Sequence, residues 1–74
     1  MASDLKTQGN AAFSSGDYEN AIKLFTQAIE LDTTNHVLYS NRSAAFANQK
    51  NYKMALQDAL KTTELKNDWA KVSF

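Results

Sequence analysis

The chain contains no cysteine and no proline, and among its 74 residues it has only two glycines, one histidine and one tryptophan. Without cysteine it has neither a disulfide framework nor a thiolate metal site. Nothing in the composition therefore calls for an oxidising compartment, and a cytoplasmic location is the expectation. His36 has no second histidine to share a metal, and it reads as a surface residue at a helix start. A one-signed excess of charge is also missing. Eight basic residues balance eight acidic ones, so no overall field holds nucleic acid or an anionic membrane. No apolar run approaches the length of a membrane span, and the opening MASDLKTQGN is too polar for the core of a signal peptide. Paired histidines, a glycine-rich phosphate loop and a serine with a nearby base are absent as well, which argues against an enzyme and against a cofactor. Asn41-Arg42-Ser43 matches the glycosylation sequon, but it falls inside a helical segment and follows no secretion signal. Trp69 beside Lys71 reads as a packing or interface residue, not a base-stacking platform.

What is present is helix. With glycine confined to Gly9 and Gly16, the chain is interrupted only by short polar patches, SSGD at 14–17, DTTN at 32–35, NQKN at 48–51 and KND at 66–68. Between them, apolar residues recur at spacings of three and four, as in Tyr18, Ala21, Ile22, Phe25, Ala28 and Ile29. Asp17, Asn35, Asn51 and Asp68 stand where helix N-caps belong. Tyr18 and Tyr52 read as packing residues at equivalent places. A shift of 34 residues superimposes Ala11 on Ala45, Tyr18 on Tyr52, Ala21 on Ala55, Glu30 on Glu64 and Leu31 on Leu65. A 34-residue unit of two helices has the length of a tetratricopeptide repeat. Small residues at Gly9 and Ser43, and at Ala21 and Ala55, suit a close crossing of the two helices in each copy. The expected fold is all-α, with tandem antiparallel helix pairs forming a solenoid. Two repeats occupy residues 2–67, the copies being roughly 2–35 and 36–69, and a third begins over 68–74.

Asn41 and Arg42 are polar residues within an otherwise half-apolar helix. Counted within the repeat from residues 2, 36 and 70, Lys6, Asn10, Asn41 and Lys71 occupy positions 5, 9, 6 and 2, which lie on one face of the first helix. Stacked repeats bring these first helices side by side along the inner surface, so the four residues should share a groove. Two lysines and two asparagines supply donors and positive charge for an acceptor-rich anionic partner, best an extended peptide ending in a carboxylate. Phe13 and Ala44, and Asn48 beyond them, would continue that surface. Arg42 falls one place off the stripe, where its stem can cover apolar surface and its head can reach solvent or a carboxylate.

The stretches LKTQGNAAFSSGDYENAIKLFTQAIELD, NHVLYSNRSAAF and NDWAK together resemble the N-terminal tetratricopeptide domain of the Hsp-organising, stress-inducible co-chaperone family, over about residues 4–71. The resemblance implies a groove that binds the acidic C-terminal tail, Glu-Glu-Val-Asp, of a heat-shock chaperone, the seventy-kilodalton class being favoured over the ninety. It also implies a carboxylate clamp of five residues. Lys6, Asn10, Asn41 and Lys71 match four of these, and the fifth, an arginine, would fall just after Phe74. The expectation is thus a truncated domain. Loss of one charge-assisted contact would cost roughly 1.5 to 3 kcal/mol, about ten- to a hundredfold in affinity.

A missing third repeat has a second consequence. Leu56, Ala59, Leu60 and Thr63 would lie on an outer face of the last complete helix with nothing after them but 68–74. A chain of this length buries only roughly 60% of its unfolded surface, and solenoids need about three repeats and a polar cap. The competing expectation is therefore a fragment that forms a homo-oligomer through this uncapped end, burying Trp69 or Phe74 against a neighbour, and that binds no tail.

Overall fold

The computed structural model describes residues 2–66, with side chains from residue 4 onward. Four helices follow in order, α1 (Ala2–Ser14), α2 (Tyr18–Leu31), α3 (His36–Asn48) and α4 (Tyr52–Lys66). The first three polar patches fall at the breaks between them, and the fourth, at 66–68, runs out of the described residues. Asp17 caps α2, one carboxylate oxygen accepting from the backbone of Asn20 at 3.4 Å and the other from the Asn20 amide at 2.6 Å. Asn35 caps α3 by accepting from the Val37 backbone at 3.0 Å, while its own amide donates to Asp32 at 3.1 Å. Asn51 precedes α4, its carbonyl accepting from Ala55 at 3.0 Å. The cap expected at Asp68 lies outside the described residues, as do Trp69, Lys71 and Phe74.

The ends of α1 and α3 show the same helix stop, built twice. After α1, Gly16 donates to Phe13 and Asp17 to Ala12, at 3.0 and 2.9 Å, with Gly16 at φ +82°. After α3, Lys50 donates to Ala47 and Asn51 to Phe46, again at 3.0 and 2.9 Å, with Lys50 at φ +64°. This is the Schellman arrangement, which needs one left-handed residue. Glycine adopts that conformation freely and lysine does not.

Each helix packs against the next. Contacts join the start of one helix to the end of its neighbour, as between Leu5 and the Ala28–Ile29 cluster or between Thr62 and the carbonyl of His36, so consecutive helices are antiparallel. The core forms two patches. Ala21, Phe25 and Ala45 are fully buried and are flanked by Ala12, Phe13 and Ile22; Ala28, Ile29 and Leu38 are flanked by Leu5 and Tyr39.

Gly9 is buried because of Phe25. A Cβ added there would meet the Phe25 ring at 2.6 Å, so in the first helix pair the absent side chain makes room for a ring. In the second pair the same position is Ser43, whose hydroxyl donates to the Ala55 carbonyl across the crossing at 2.7 Å. Close approach was the expected reason for both small residues, and the structure gives each a particular neighbour. Tyr18 packs edge-on against Phe13, ring centroids 5.2 Å apart. Tyr52 departs from the expectation of a packing residue and is 64% exposed. The residue equivalent to Phe13 in the second copy is Ala47, which offers no ring.

Arg42 is the main polar element of the interior. Its Nε and one terminal nitrogen donate to both carboxylate oxygens of Asp58 at 2.7 Å, and its other terminal nitrogen donates to Thr26 at 3.2 Å. The guanidinium also lies over the rings of Tyr39 and Phe46, at 5.5 and 5.9 Å. One side chain of α3 is thereby tied to α2 and α4. Asp58 is 3% exposed, and its hydrogen bonds hold Arg42 above the ordinary guanidinium range against the opposing effect of burial. No helix among the described residues is long and apolar enough to cross a membrane.

Candidate functional site

α1 and α3 run side by side in the same direction, and the cleft between them is lined by Asn10, Phe13, Phe25, Asn41 and Ala44. Residues at three and four spacing on each helix face it, Asn10 and Phe13 from α1, Asn41 and Ala44 from α3. Its volume is about 130 Å³, too small for a cofactor or a drug-sized ligand, which needs roughly 300 Å³ or more, but enough for a short aliphatic group.

The two asparagines meet at its mouth. Asn41 Nδ2 donates to Asn10 Oδ1 at 3.4 Å, a long and exposed hydrogen bond that either amide gives up at little cost. Asn10 Nδ2 and the second hydrogen of Asn41 Nδ2 remain for an incoming acceptor. Lys6 lies one turn before Asn10 on α1 and is half-buried. It does not line the cleft, but it places a positive charge beside it on the same helix. Asn48 takes no part in the lining, since its amide donates to the carbonyl of Ala44 at 2.9 Å near the end of α3. Lys71 lies outside the described residues.

Sequence reasoning missed two residues. Phe25 was legible as core but not as the floor of the cleft, and the signal was the pairing of a glycine on α1 with a ring on α2. Asp58 went unnoticed because the exposed Leu56, Ala59 and Leu60 drew the apolar pattern of α4 to its outer face. For Arg42 itself the sequence left solvent and a carboxylate both open, and the structure supplies the carboxylate.

The sequence matches the family model of the tetratricopeptide repeat over residues 9–50. It is 65% identical over 71 residues to the Heat shock protein sti1 homolog of Schizosaccharomyces pombe, covering 96% of this chain and 12% of that protein. It is 61% identical over 71 residues to Hsp70-Hsp90 organizing protein 2 of Arabidopsis thaliana, with the same coverage of 96% and 12%. To the Heat shock protein STI1 of Saccharomyces cerevisiae it is 51% identical over 71 residues, 95% of this chain and 12% of that one. The chain thus spans about one-eighth of the length of these relatives. With helix pairs of the right length, a 34-residue self-similarity and a family match over residues 9–50, the chain belongs to the tetratricopeptide-repeat family.

Proposed function

We propose that the α1/α3 cleft is a peptide-binding site of co-chaperone type, taking the acidic C-terminal Glu-Glu-Val-Asp tail of a heat-shock chaperone, with the seventy-kilodalton class preferred. The observation that carries this reading is the pair of asparagine amides, 3.4 Å apart, at the mouth of a small apolar cleft. A terminal carboxylate has two oxygens to satisfy, and Asn10 and Asn41 can each turn one N–H toward it. Lys6 adds charge from the preceding turn, and Lys71 is assigned to the same clamp from the sequence pattern. Phe13 and Ala44 receive the aliphatic side chain next to the terminus, with Phe25 beneath them. The names of the relatives, Hsp70-Hsp90 organizing protein among them, support a chaperone partner. The role is that of a binding module without catalysis, and a cytoplasmic setting suits a chain free of cysteine.

Calorimetric titration with an Ile-Glu-Glu-Val-Asp peptide tests this. The free acid is expected to bind and its C-terminal amide is not; equal heats from both, or none from either, would overturn the reading.

A second reading rests on a different observation. Leu56 and Leu60 on the outer face of α4 are 60% and 61% exposed, which favours self-association through that face. In this reading the chain associates and binds no tail, so the titration above separates the two.

A further inference from the structure

Two rings shape the α1/α3 cleft, Phe13 on its wall and Phe25 on its floor. The repeat does not require either of them. Tyr18, the other ring of the first copy, returns as Tyr52, but the places of Phe13 and Phe25 are taken one repeat later by Ala47 and Ala59. Both helix pairs pack nonetheless, so what the two rings add to the first copy is the shape of its cleft. We infer that Phe25, seated against Gly9, is a size gauge for the bound peptide: the cleft accepts one branched aliphatic side chain next to the terminal residue and refuses an aromatic one. The inference rests on the proposed function and adds the class of side chain that the site selects.

Two observations carry it. The first is where the floor stands. Phe25 comes from α2, behind both helices of the cleft, and is fully buried. Its ring fills the space that a side chain at residue 9 would need, since a Cβ there would lie 2.6 and 2.8 Å from two ring carbons. The ring thus abuts the α1 backbone and cannot retreat toward it when a ligand presses from the mouth. Ala21 and Ala45, fully buried in the same cluster, pack with it. In a close-packed interior such a ring moves only by displacing its neighbours.

The second observation is volume. A closed cavity of about 150 Å³ holds one benzene. The cleft is smaller, about 130 Å³, and part of that space goes to the peptide backbone that carries the carboxylate to Asn10 and Asn41. What remains takes a valine-sized group and leaves no place for a phenyl ring. Below the two amides, Phe13, Phe25 and Ala44 offer a polar side chain no hydrogen-bond partner, so its burial there is unfavourable. A side chain that is too short leaves the floor uncovered, and in an apolar pocket one missing methylene is worth about ten- to two-hundredfold.

Calorimetric titration of the full chain with three free-acid peptides, Ile-Glu-Glu-X-Asp with X as valine, alanine or phenylalanine, tests the gauge. The valine peptide is expected to bind about tenfold more tightly than the other two, the low end of the range for an apolar pocket. Phe25→Leu lowers the floor and should shift the ratio of phenylalanine to valine affinity about tenfold toward phenylalanine, with circular dichroism showing whether the helices are kept. Ala44→Leu narrows the cleft from an exposed wall, outside the core, and should bring the valine peptide down to the level of alanine. No binding of any free acid overturns the proposed function and the gauge with it. Equal binding of all three leaves the proposed function standing and overturns the gauge. A valine preference that a folded Phe25→Leu leaves unchanged overturns the role of Phe25. Should Phe25→Leu fail to fold, a valine preference retained in Ala44→Leu overturns the cleft as the place of selection.

Discussion

Arg42 is the residue on which the interior depends most. It makes a two-point ion pair with Asp58 at 2.7 Å, donates to Thr26, and keeps only 17% of its side chain exposed. Removing one partner of such a pair leaves the other charged and unsolvated, at a cost of about 3 to 5 kcal/mol. A domain of this size has roughly 4 to 11 kcal/mol in total. Asp58→Ala is therefore expected to leave the chain largely or partly unfolded at 25 °C by urea titration. The double variant Arg42→Met, Asp58→Leu should recover to within about 2 kcal/mol of the parent, because the pair is then replaced by apolar packing. Because its pKa is raised, the contribution of Arg42 is complete at neutral pH and fades only in alkali above the ordinary guanidinium range. Gly9 shows the opposite kind of dependence, on an absent atom. Gly9→Ala gains about 1 kcal/mol of helix propensity but drives a methyl to 2.6 Å from the fully buried Phe25 ring, which must shift out of its packed position. Overpacking of this kind costs about 1 to 3 kcal/mol, so a net loss of about 1 kcal/mol is expected in the same titration, relieved by Phe25→Leu. At this scale the sequence was half legible. A lone arginine in a half-apolar helix pointed to solvent or to a carboxylate, and nothing local named a residue sixteen positions away on another helix.

The helices themselves were almost fully legible, because their limits are set by local chemistry. Each of the three polar patches between the described helices holds a residue whose side chain or backbone satisfies a helix end, as Asp17 and Asn35 do, and such satisfaction needs no distant partner. What escaped was the second left-handed residue. Gly16 advertises its stop, while Lys50 at φ +64° does not. Lysine there carries about 1 to 2 kcal/mol of steric cost. Lys50→Gly is expected to raise stability by about 0.5 to 1 kcal/mol after the extra freedom of glycine in the unfolded chain is deducted. The mirror-image change, Gly16→Ala, should lower it by about 1 kcal/mol, although no atom lies within 4 Å of the added methyl. Thermal melts of the two variants should move in opposite directions; a fall in both would mean that Lys50 makes up its strain through contacts of its side chain. Tyr52 is the other departure at this scale. Repeat equivalence suggested burial, but burial belongs to pairs of residues, and the ring that holds Tyr18 is replaced by Ala47 one repeat on.

At the scale of the molecule, stacking turns single positions into a surface. Asn10 and Asn41 are 31 residues apart and meet only because α1 and α3 lie parallel against α2. Helical spacing read from sequence could put each on its own helix face, and the repeat rule put the faces together; the depth of the cleft, set by Phe25, required coordinates. Both asparagines stand at an exposed contact of 3.4 Å, so their removal should hardly affect folding. Asn10→Ala and Asn41→Ala are each expected to weaken binding of the free-acid peptide by about ten- to a hundredfold, as for a hydrogen bond to a charged group, with melting temperatures nearly unchanged. Lys6→Ala should act differently. Its charge works through a few ångströms of partly screened space, and the screening length falls from about 10 Å at 0.1 M salt to about 3 Å at 1 M. The affinity lost in Lys6→Ala should therefore be large in dilute buffer and shrink toward nothing in concentrated salt, while the losses in the asparagine variants persist. Isothermal titration at two salt concentrations separates the roles: a salt-independent deficit in Lys6→Ala would mean that the lysine shapes α1 and does not serve as a charge for the tail.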